Sequence, residues 1–131
     1  MADARTYPQR PILAVSAAIF RDGKVLLVRR ARNPALNLYT LPGGAVETGE
    51  TLKQAVAREV REETALEVEP VALAGEREVI VRDAQGGVER HFVILCFAAR
   101  WLDPAELAAF RTTDGLSEIV AAARERLARP V

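Results

Sequence analysis

The first part of the chain alternates apolar runs with short polar breaks. Ile12 to Phe20 is an almost unbroken apolar run, which predicts a buried strand. Asp22-Gly23 follows, a dipeptide that favours a tight two-residue turn. Val25 to Arg30 is a second apolar run that ends in two arginines. The pattern therefore predicts a β-hairpin over Ile12–Arg30.

The segment from Glu50 to Ala65 has the pattern of an amphipathic helix. It contains no proline and no internal glycine, and Leu52, Val56 and Val60 recur at four-residue spacing along one stripe. The glycine-rich stretch LPGG (41–44) precedes it and interrupts regular structure. We therefore predict one helix in the middle of the chain.

The second half of the chain predicts two more strands and then helices. Leu66–Asp83 and Gly86–Trp101 are rich in β-branched and aromatic residues and read as an antiparallel pair. Asp103, as a cap before a proline, begins a helical segment, and Thr112–Ala128 is a final amphipathic helix. The order predicts an α/β fold with a mixed sheet and helices packed on it.

The chain length of 131 residues suits one domain. We predict a flexible N-terminal arm over residues 1–11, which are polar and contain two prolines, and a single domain over residues 12–131. Ile12–Phe20 also resembles a short secretory signal, but a turn and a second apolar run follow it, so a buried strand is favoured. No run is long enough to span a bilayer.

Charge and cysteine content narrow the possible partners. Eighteen basic and 18 acidic residues give a net charge of zero, which argues against bulk nucleic-acid or membrane binding. A small phosphate-bearing ligand stays possible because it needs only local charge. The single cysteine, Cys96, cannot form an internal disulfide, so a cytoplasmic location is expected.

Three carboxylates share one face of the predicted helix. Glu59, Glu62 and Glu63 lie at positions i, i+3 and i+4, where like charges repel by roughly 0.2–0.5 kcal/mol per pair. A divalent cation would remove this repulsion, and Mg²⁺ prefers oxygen ligands. Gly43 and Gly44, just before the helix, allow close approach of the backbone to a ligand. The pattern favours a metal site over a solvated helix face.

The spacing of these residues resembles the Nudix box, G-x5-E-x7-R-E-U-x-E-E-x-G-U, where U is a bulky apolar residue. Gly44, Glu50, the pair Arg58-Glu59 and the pair Glu62-Glu63 stand at the required positions, and Val60 and Leu66 supply both apolar ones. The departure is Ala65, where the family usually has glycine at the helix cap. The resemblance implies a Nudix-like α/β/α sandwich, with the mixed sheet between helices.

The resemblance also implies a function and a set of site residues. It implies a metal-dependent pyrophosphohydrolase that cleaves a nucleoside diphosphate linked to another moiety. The implied ligands of Mg²⁺ or Mn²⁺ are Gly44, Glu59, Glu62 and Glu63. The implied catalytic residues are Glu50, Arg58, Glu59 and Glu62, with Arg58 paired to Glu50. Arg30 and Arg29 are the implied phosphate-binding residues. The general base is left unassigned.

Several alternatives stay open at the level of sequence. The chain could instead be a Nudix-fold module that binds a nucleotide without cleaving it, although such modules tend to lose box glutamates. Arg29 and Arg30 could only protect an edge strand, and Glu76 and Glu78 could add a metal ligand or simply face solvent. Among substrates, nucleotide sugars or ADP-ribose compete with nucleoside triphosphates. Self-association as a homodimer is compatible with the sequence.

Two further features bear on these alternatives. Some ADP-ribose hydrolases of the family carry a proline about fifteen residues beyond the box, and the stretch REVIVRD (77–83) has none, which disfavours that subgroup. At Arg100–Trp101, a loop and the beginning of a strand that are usual in the family are missing. Either the sheet edge is shortened here or the sequence lacks residues at this point.

Overall fold

Strand β1 forms the centre of the sheet in the computed structural model, which describes residues 5–31 and 37–102. The described elements in chain order are β1 (Ile12–Arg21), β2 (Lys24–Val25), β3 (Val28–Arg29), β4 (Tyr39–Thr40), β5 (Gly43–Ala45), α1 (Leu52–Thr64), β6 (Val68–Arg82) and β7 (Val88–Trp101). They belong to one compact unit, Met1–Trp101, and a second unit begins at Leu102. The predicted C-terminal helices lie outside the described residues, so the extent of the single domain stays a prediction.

The main sheet is mixed, as the sequence predicts. β1 pairs in parallel with β7, in register from Ile12↔Phe92 to Phe20↔Arg100. β7 in turn pairs antiparallel with β6, which confirms the predicted pair of long strands. β2 and β5 both pair antiparallel with β1, along different stretches of it. β1 is therefore bordered on both sides, and β6 is an edge strand of the described sheet.

The predicted turn at Asp22-Gly23 is present, but the strand after it is not continuous. Asp22 and Gly23 both have positive φ, 52° and 75°, as a two-residue hairpin turn requires. Val25–Arg30, predicted as one strand, splits into two short strands. β2 pairs with β1, whereas β3 pairs with β4 in a separate two-stranded sheet. The prediction of one returning strand was wrong because the two halves of this run pair with different strands.

Helix α1 is bounded by local caps at both ends. The Thr51 hydroxyl accepts a hydrogen bond from the Gln54 backbone N–H (3.1 Å), and the Gln54 side chain accepts one from the Thr51 N–H (2.9 Å). This capping box satisfies two backbone donors that the first turn leaves free. At the other end Ala65 adopts φ 61°, ψ 13°, and its N–H bonds the Arg61 carbonyl. The predicted helix is confirmed to within two residues.

The hydrophobic core lies between α1 and one face of the sheet. Alternate residues of β1, namely Val15, Ala17 and Ile19, are buried against Val56 and Val60 of the helix. Phe97 and Ala99 of β7 alternate in the same way and are buried in the same cluster. The apolar stripe of α1 therefore holds the helix against the sheet and leaves its acidic face outside the core.

Residues near the two ends of the main unit are tied into the sheet. The Tyr7 N–H donates to the Glu89 carbonyl and the Tyr7 hydroxyl donates to Asp83, both at 2.8 Å. At the other end β7 continues through Arg100 to Trp101, which pairs with Val68. The described chain thus has one unbroken strand at the join where the family usually inserts a loop. No helix within residues 5–31 and 37–102 has the length and apolar character needed to cross a bilayer.

Candidate active site

Arg58 and Glu50 form the shortest ion pair among the box residues 44–66. Arg58 Nε donates to Glu50 Oε2 at 2.6 Å and Nη2 donates to Oε1 at 2.9 Å, a two-pronged contact. The guanidinium lowers the pKa of Glu50 from 4.5 to about 2, helped by the Glu47 N–H. In return, the Glu50 carboxylate raises the pKa of Arg58. The pairing that the resemblance implies is therefore present in the geometry.

The remaining nitrogen of Arg58 faces three more carboxylates. Nη1 lies 2.8 Å from Glu59 Oε1 and 3.3 Å from Glu62 Oε2. Glu47 Oε1 lies farther away, at 3.7 Å. Arg58 Nη2 also donates to the Ala45 carbonyl at 3.1 Å, which fixes the guanidinium against β5. Arg58 thus joins the loop before the helix to the acidic face of the helix.

Glu47 is the residue of this group that the sequence reasoning missed. Its N–H donates to Glu50 Oε1 and its carbonyl accepts from the Glu50 N–H, both at 3.0 Å. These two bonds close the loop 47–50 and aim the Glu47 side chain toward Arg58. Glu47 occupies an unspecified position of the box pattern, so the pattern itself carried no signal for it. Its proximity to Arg58 follows from the turn of the loop.

Gly44 allows the Glu59 carboxylate to lie against strand β5. A Cβ atom placed on Gly44 would come within 2.5 Å of the Glu59 Cδ, which real contacts do not permit. Gly44 is held there by its pairing with Val15 of the central strand. The Glu59 side chain is only 13% exposed, while Glu62 is 58% exposed. The absent side chain of Gly44 therefore leaves the space that Glu59 fills.

Glu63 reaches the same strand one residue earlier. The Gly43 N–H donates to Glu63 Oε2 at 3.3 Å. Although Glu63 is exposed as a residue, its carboxyl group is partly shielded from water, and this desolvation raises its pKa. The Gly43 N–H and the charge of Arg30 oppose that rise, while repulsion from Glu59 and Glu62 adds to it. The predicted repulsion among the three carboxylates therefore contributes to the raised pKa of Glu63.

These residues fit a hard divalent cation by their chemistry, although they are not preassembled around one point. Glu59 and Glu63 approach β5 at Gly44 and Gly43, and Glu62 lies one turn along the same face. Within the described ranges, no three carboxylate, histidine or thiol side chains form a group ready to hold a metal. In this arrangement Arg58 neutralises part of the charge of Glu59 and Glu62.

The other predicted residues divide between this site and the rest of the surface. Arg30 lies near enough to Glu63 for its charge to lower the pKa of that carboxyl. Arg29 is exposed in β3, where its backbone pairs with Tyr39. Glu76 and Glu78 are exposed on the edge strand β6, opposite Leu95 and Val93 of β7. They lie on a different element from the box carboxylates, which α1 and the loop before it carry.

A cavity of about 220 Å³ lies at the far end of β1, away from Gly44. Its walls come from the β1–β2 hairpin and the end of β7: Ile19, Arg21, Asp22, Lys24, Val25, Leu26 and Trp101. The Arg21 guanidinium lies 4.8 Å from the centre of a Trp101 ring. None of the box carboxylates lines this cavity.

Comparison with known proteins identifies the family. The family model described as the NUDIX domain matches residues 10–125, and the chain therefore belongs to the Nudix family. A MutT-like protein of Streptomyces ambofaciens is 34% identical over 130 residues, covering 87% of this chain and 82% of that protein. An ADP-ribose pyrophosphatase of Methanocaldococcus jannaschii is 44% identical over 78 residues, covering 60% of this chain and 46% of that protein. The match thus spans about half of the archaeal relative.

Solved structures show the same fold. A MutT NUDIX hydrolase from Burkholderia pseudomallei has a TM-score of 0.62 and 34% identity, covering 70% of this chain and 68% of that one. A NUDIX hydrolase from Nitrosomonas europaea has a TM-score of 0.60 and 30% identity, covering 72% and 61%. These likenesses confirm the predicted α/β Nudix fold, to which the described residues contribute the mixed sheet and α1.

Proposed function

We propose that this chain is a metal-dependent pyrophosphohydrolase of the Nudix family, acting on a nucleoside diphosphate linked to another group. The observation that carries the proposal is the set of contacts around Arg58. One guanidinium holds Glu50 in two-pronged fashion and touches Glu59 and Glu62, beside a glycine that leaves room for Glu59. A solvated helix face would not need Gly44 or a loop folded back to Arg58.

Each residue then has a distinct task. Glu50 anchors Arg58, and Arg58 orients Glu59, whose side chain lies against β5. Glu59, Glu62, Glu63 and the Gly44 carbonyl would hold Mg²⁺ or Mn²⁺. A bound divalent cation neutralises phosphate charge and lowers the pKa of an attacking water. Arg30, whose charge reaches Glu63, would bind substrate phosphate, with Arg29 as a second candidate.

The substrate class rests on what the relatives have in common. Their names specify ADP-ribose, NAD-capped RNA and 8-oxo-dGTP as substrates, and each contains a phosphoanhydride bond next to a nucleoside. The missing proline after the box disfavours ADP-ribose, whereas the identity to an ADP-ribose pyrophosphatase favours it. We therefore propose the shared bond as the target and leave the distal group to a substrate panel.

The alternative function is a Nudix-fold module that senses a nucleotide without cleaving it. Such modules tend to lose box glutamates, whereas all the box carboxylates and Arg58 are present here. No contact among the described residues favours it over the enzyme. We also propose a cytoplasmic location, which suits the lone Cys96, and a homodimeric state.

The test is hydrolysis of the nucleotide panel with Mg²⁺, with Mn²⁺ and with a chelator. Glu62→Gln should lower turnover by orders of magnitude and leave the melting temperature within a few degrees. Glu62 is 58% exposed and its ion pair to Arg58 is long, so its contribution to folding is small, about 0–1 kcal/mol. Glu78→Gln, which removes one exposed carboxylate on β6, is the control. Binding of a nucleotide without metal-dependent product release would favour the sensor module.

A further inference from the structure

Arg58 Nη1 has more acceptors than it has hydrogens. This nitrogen carries two N–H groups, and one of them is taken by Glu59 at 2.8 Å. Glu62 lies at 3.3–3.4 Å and Glu47 at 3.7 Å, so both compete for the second. In the structure Glu62 accepts this second hydrogen bond, and the Glu47 carboxylate lies just outside hydrogen-bond distance of Arg58 Nη1.

In the proposed function, Glu62 is also a ligand of the divalent cation. A divalent cation shared with Glu59 and Glu63 would draw the Glu62 carboxylate away from Arg58 Nη1, and the guanidinium would then lose a charged acceptor. A charged donor without an acceptor is costly when it is partly shielded, and the Arg58 side chain is only 22% exposed. The cost of releasing Glu62 would therefore reduce the affinity for the cation.

Glu47 can remove that cost. Its backbone is fixed by two hydrogen bonds to Glu50, while its side chain is 69% exposed to solvent. A small side-chain movement brings its carboxylate from 3.7 Å to hydrogen-bond distance of Nη1. We propose that Glu47 is a positioning residue that takes over Arg58 Nη1 when Glu62 turns to bind a divalent cation. This inference rests on the proposed metal site.

The experiment measures Mn²⁺ binding directly, by calorimetry and by loss of the free-ion paramagnetic signal, without substrate. Glu47→Gln removes the negative charge of the reserve acceptor and should weaken Mn²⁺ binding about two- to fivefold, the range that an exposed ion pair supports. Glu47→Asp keeps the charge but shortens the reach, and should weaken binding to a similar degree. Glu78→Gln removes an equal charge from strand β6 and should leave binding unchanged, because salt screens distant charges.

The outcomes separate the contact from a general charge effect. If Glu47→Asp bound Mn²⁺ as well as the wild type, charge alone would matter and the positioning role would be wrong. If Glu47→Gln bound normally, Glu47 would have no part in metal binding. A loss of more than about tenfold would make Glu47 itself a ligand, which also overturns the proposal. Failure of the wild-type chain to bind Mn²⁺ would refute the proposed metal site, and the inference with it.

Discussion

Replacing Ala65 by glycine should stabilise the protein, because Ala65 ends α1 in a conformation that suits glycine. Its φ of 61° and ψ of 13° lie in the left-handed region, and its N–H bonds the Arg61 carbonyl. A Cβ atom in this region approaches the neighbouring carbonyl oxygen and costs roughly 1–2 kcal/mol. Ala65 is exposed, so its methyl group contributes little burial in return.

The magnitude follows from two opposing terms. Glycine removes the left-handed penalty, but it also gives the unfolded chain more freedom, which costs about 0.5–1 kcal/mol. The difference between these terms is ~0–1.5 kcal/mol, so the net stabilisation for Ala65→Gly is centred on about 0.75 kcal/mol. For a chain of this size that corresponds to a rise in Tm of about 2–5 °C.

The assay is denaturant and thermal unfolding of the wild type and two variants. Ala57→Gly is the matched control, since it makes the same change inside α1, where φ is right-handed. It should destabilise the protein by about 1 kcal/mol. Opposite signs for the two variants support the reasoning. A destabilised Ala65→Gly variant would show that the methyl group makes a contribution that outweighs the left-handed strain.

Two further predictions concern pH and the glycine of the site. Arg58 holds the pKa of Glu50 near 2 instead of 4.5, so the stability from ionised Glu50 is present above about pH 4.5 and lost as pH falls toward 2. The advantage of the wild type over Glu50→Gln in urea unfolding should shrink across that window; a difference that stays constant from pH 7 to 2.5 would contradict this account. With the proposed metal site, Mg²⁺ should raise the Tm by binding the native state. Gly44→Ala should displace the Glu59 carboxylate and abolish that rise, while Gly75→Ala, whose added methyl group would meet no atom within 4 Å, should retain it. An intact Mg²⁺ response in Gly44→Ala would show that Glu59 does not depend on this space.

The sequence predicts those parts of the fold that depend on nearby residues. The apolar stripe of α1, its bounds to within two residues, and the Asp22-Gly23 turn all follow from local pattern. The division of Val25–Arg30 into β2 and β3 does not, because it depends on pairing with β4, some ten residues later. The register shifts between β6 and β7 are likewise set by packing across the sheet.

The candidate site shows the same limit. Fixed spacing predicts that Glu59, Glu62 and Glu63 share a face, and it identifies Gly44, Glu50 and Arg58 through the resemblance. It does not reveal that Arg58 faces Glu62 and Glu47 with the same nitrogen. That fact depends on how the loop 47–50 closes through backbone hydrogen bonds, which a spacing pattern does not encode. The role of the unspecified positions in the box is therefore visible only in three dimensions.

The parallel pairing of β1 with β7 also determines when this fold can form during synthesis. The central strand ends at Arg21, but its long neighbour is complete only at Trp101. At roughly 5–20 residues per second, a ribosome needs on the order of ten seconds to make the intervening chain. Until then β1 has only its short pairings with β2 and β5, and one apolar edge stays open. Pairing between strands so far apart in sequence slows folding and prolongs the exposure of the unpaired strand to aggregation. Substitutions that weaken the β1–β7 pairing should therefore reduce the yield of folded protein in the cell more than they reduce the activity of the molecules that fold.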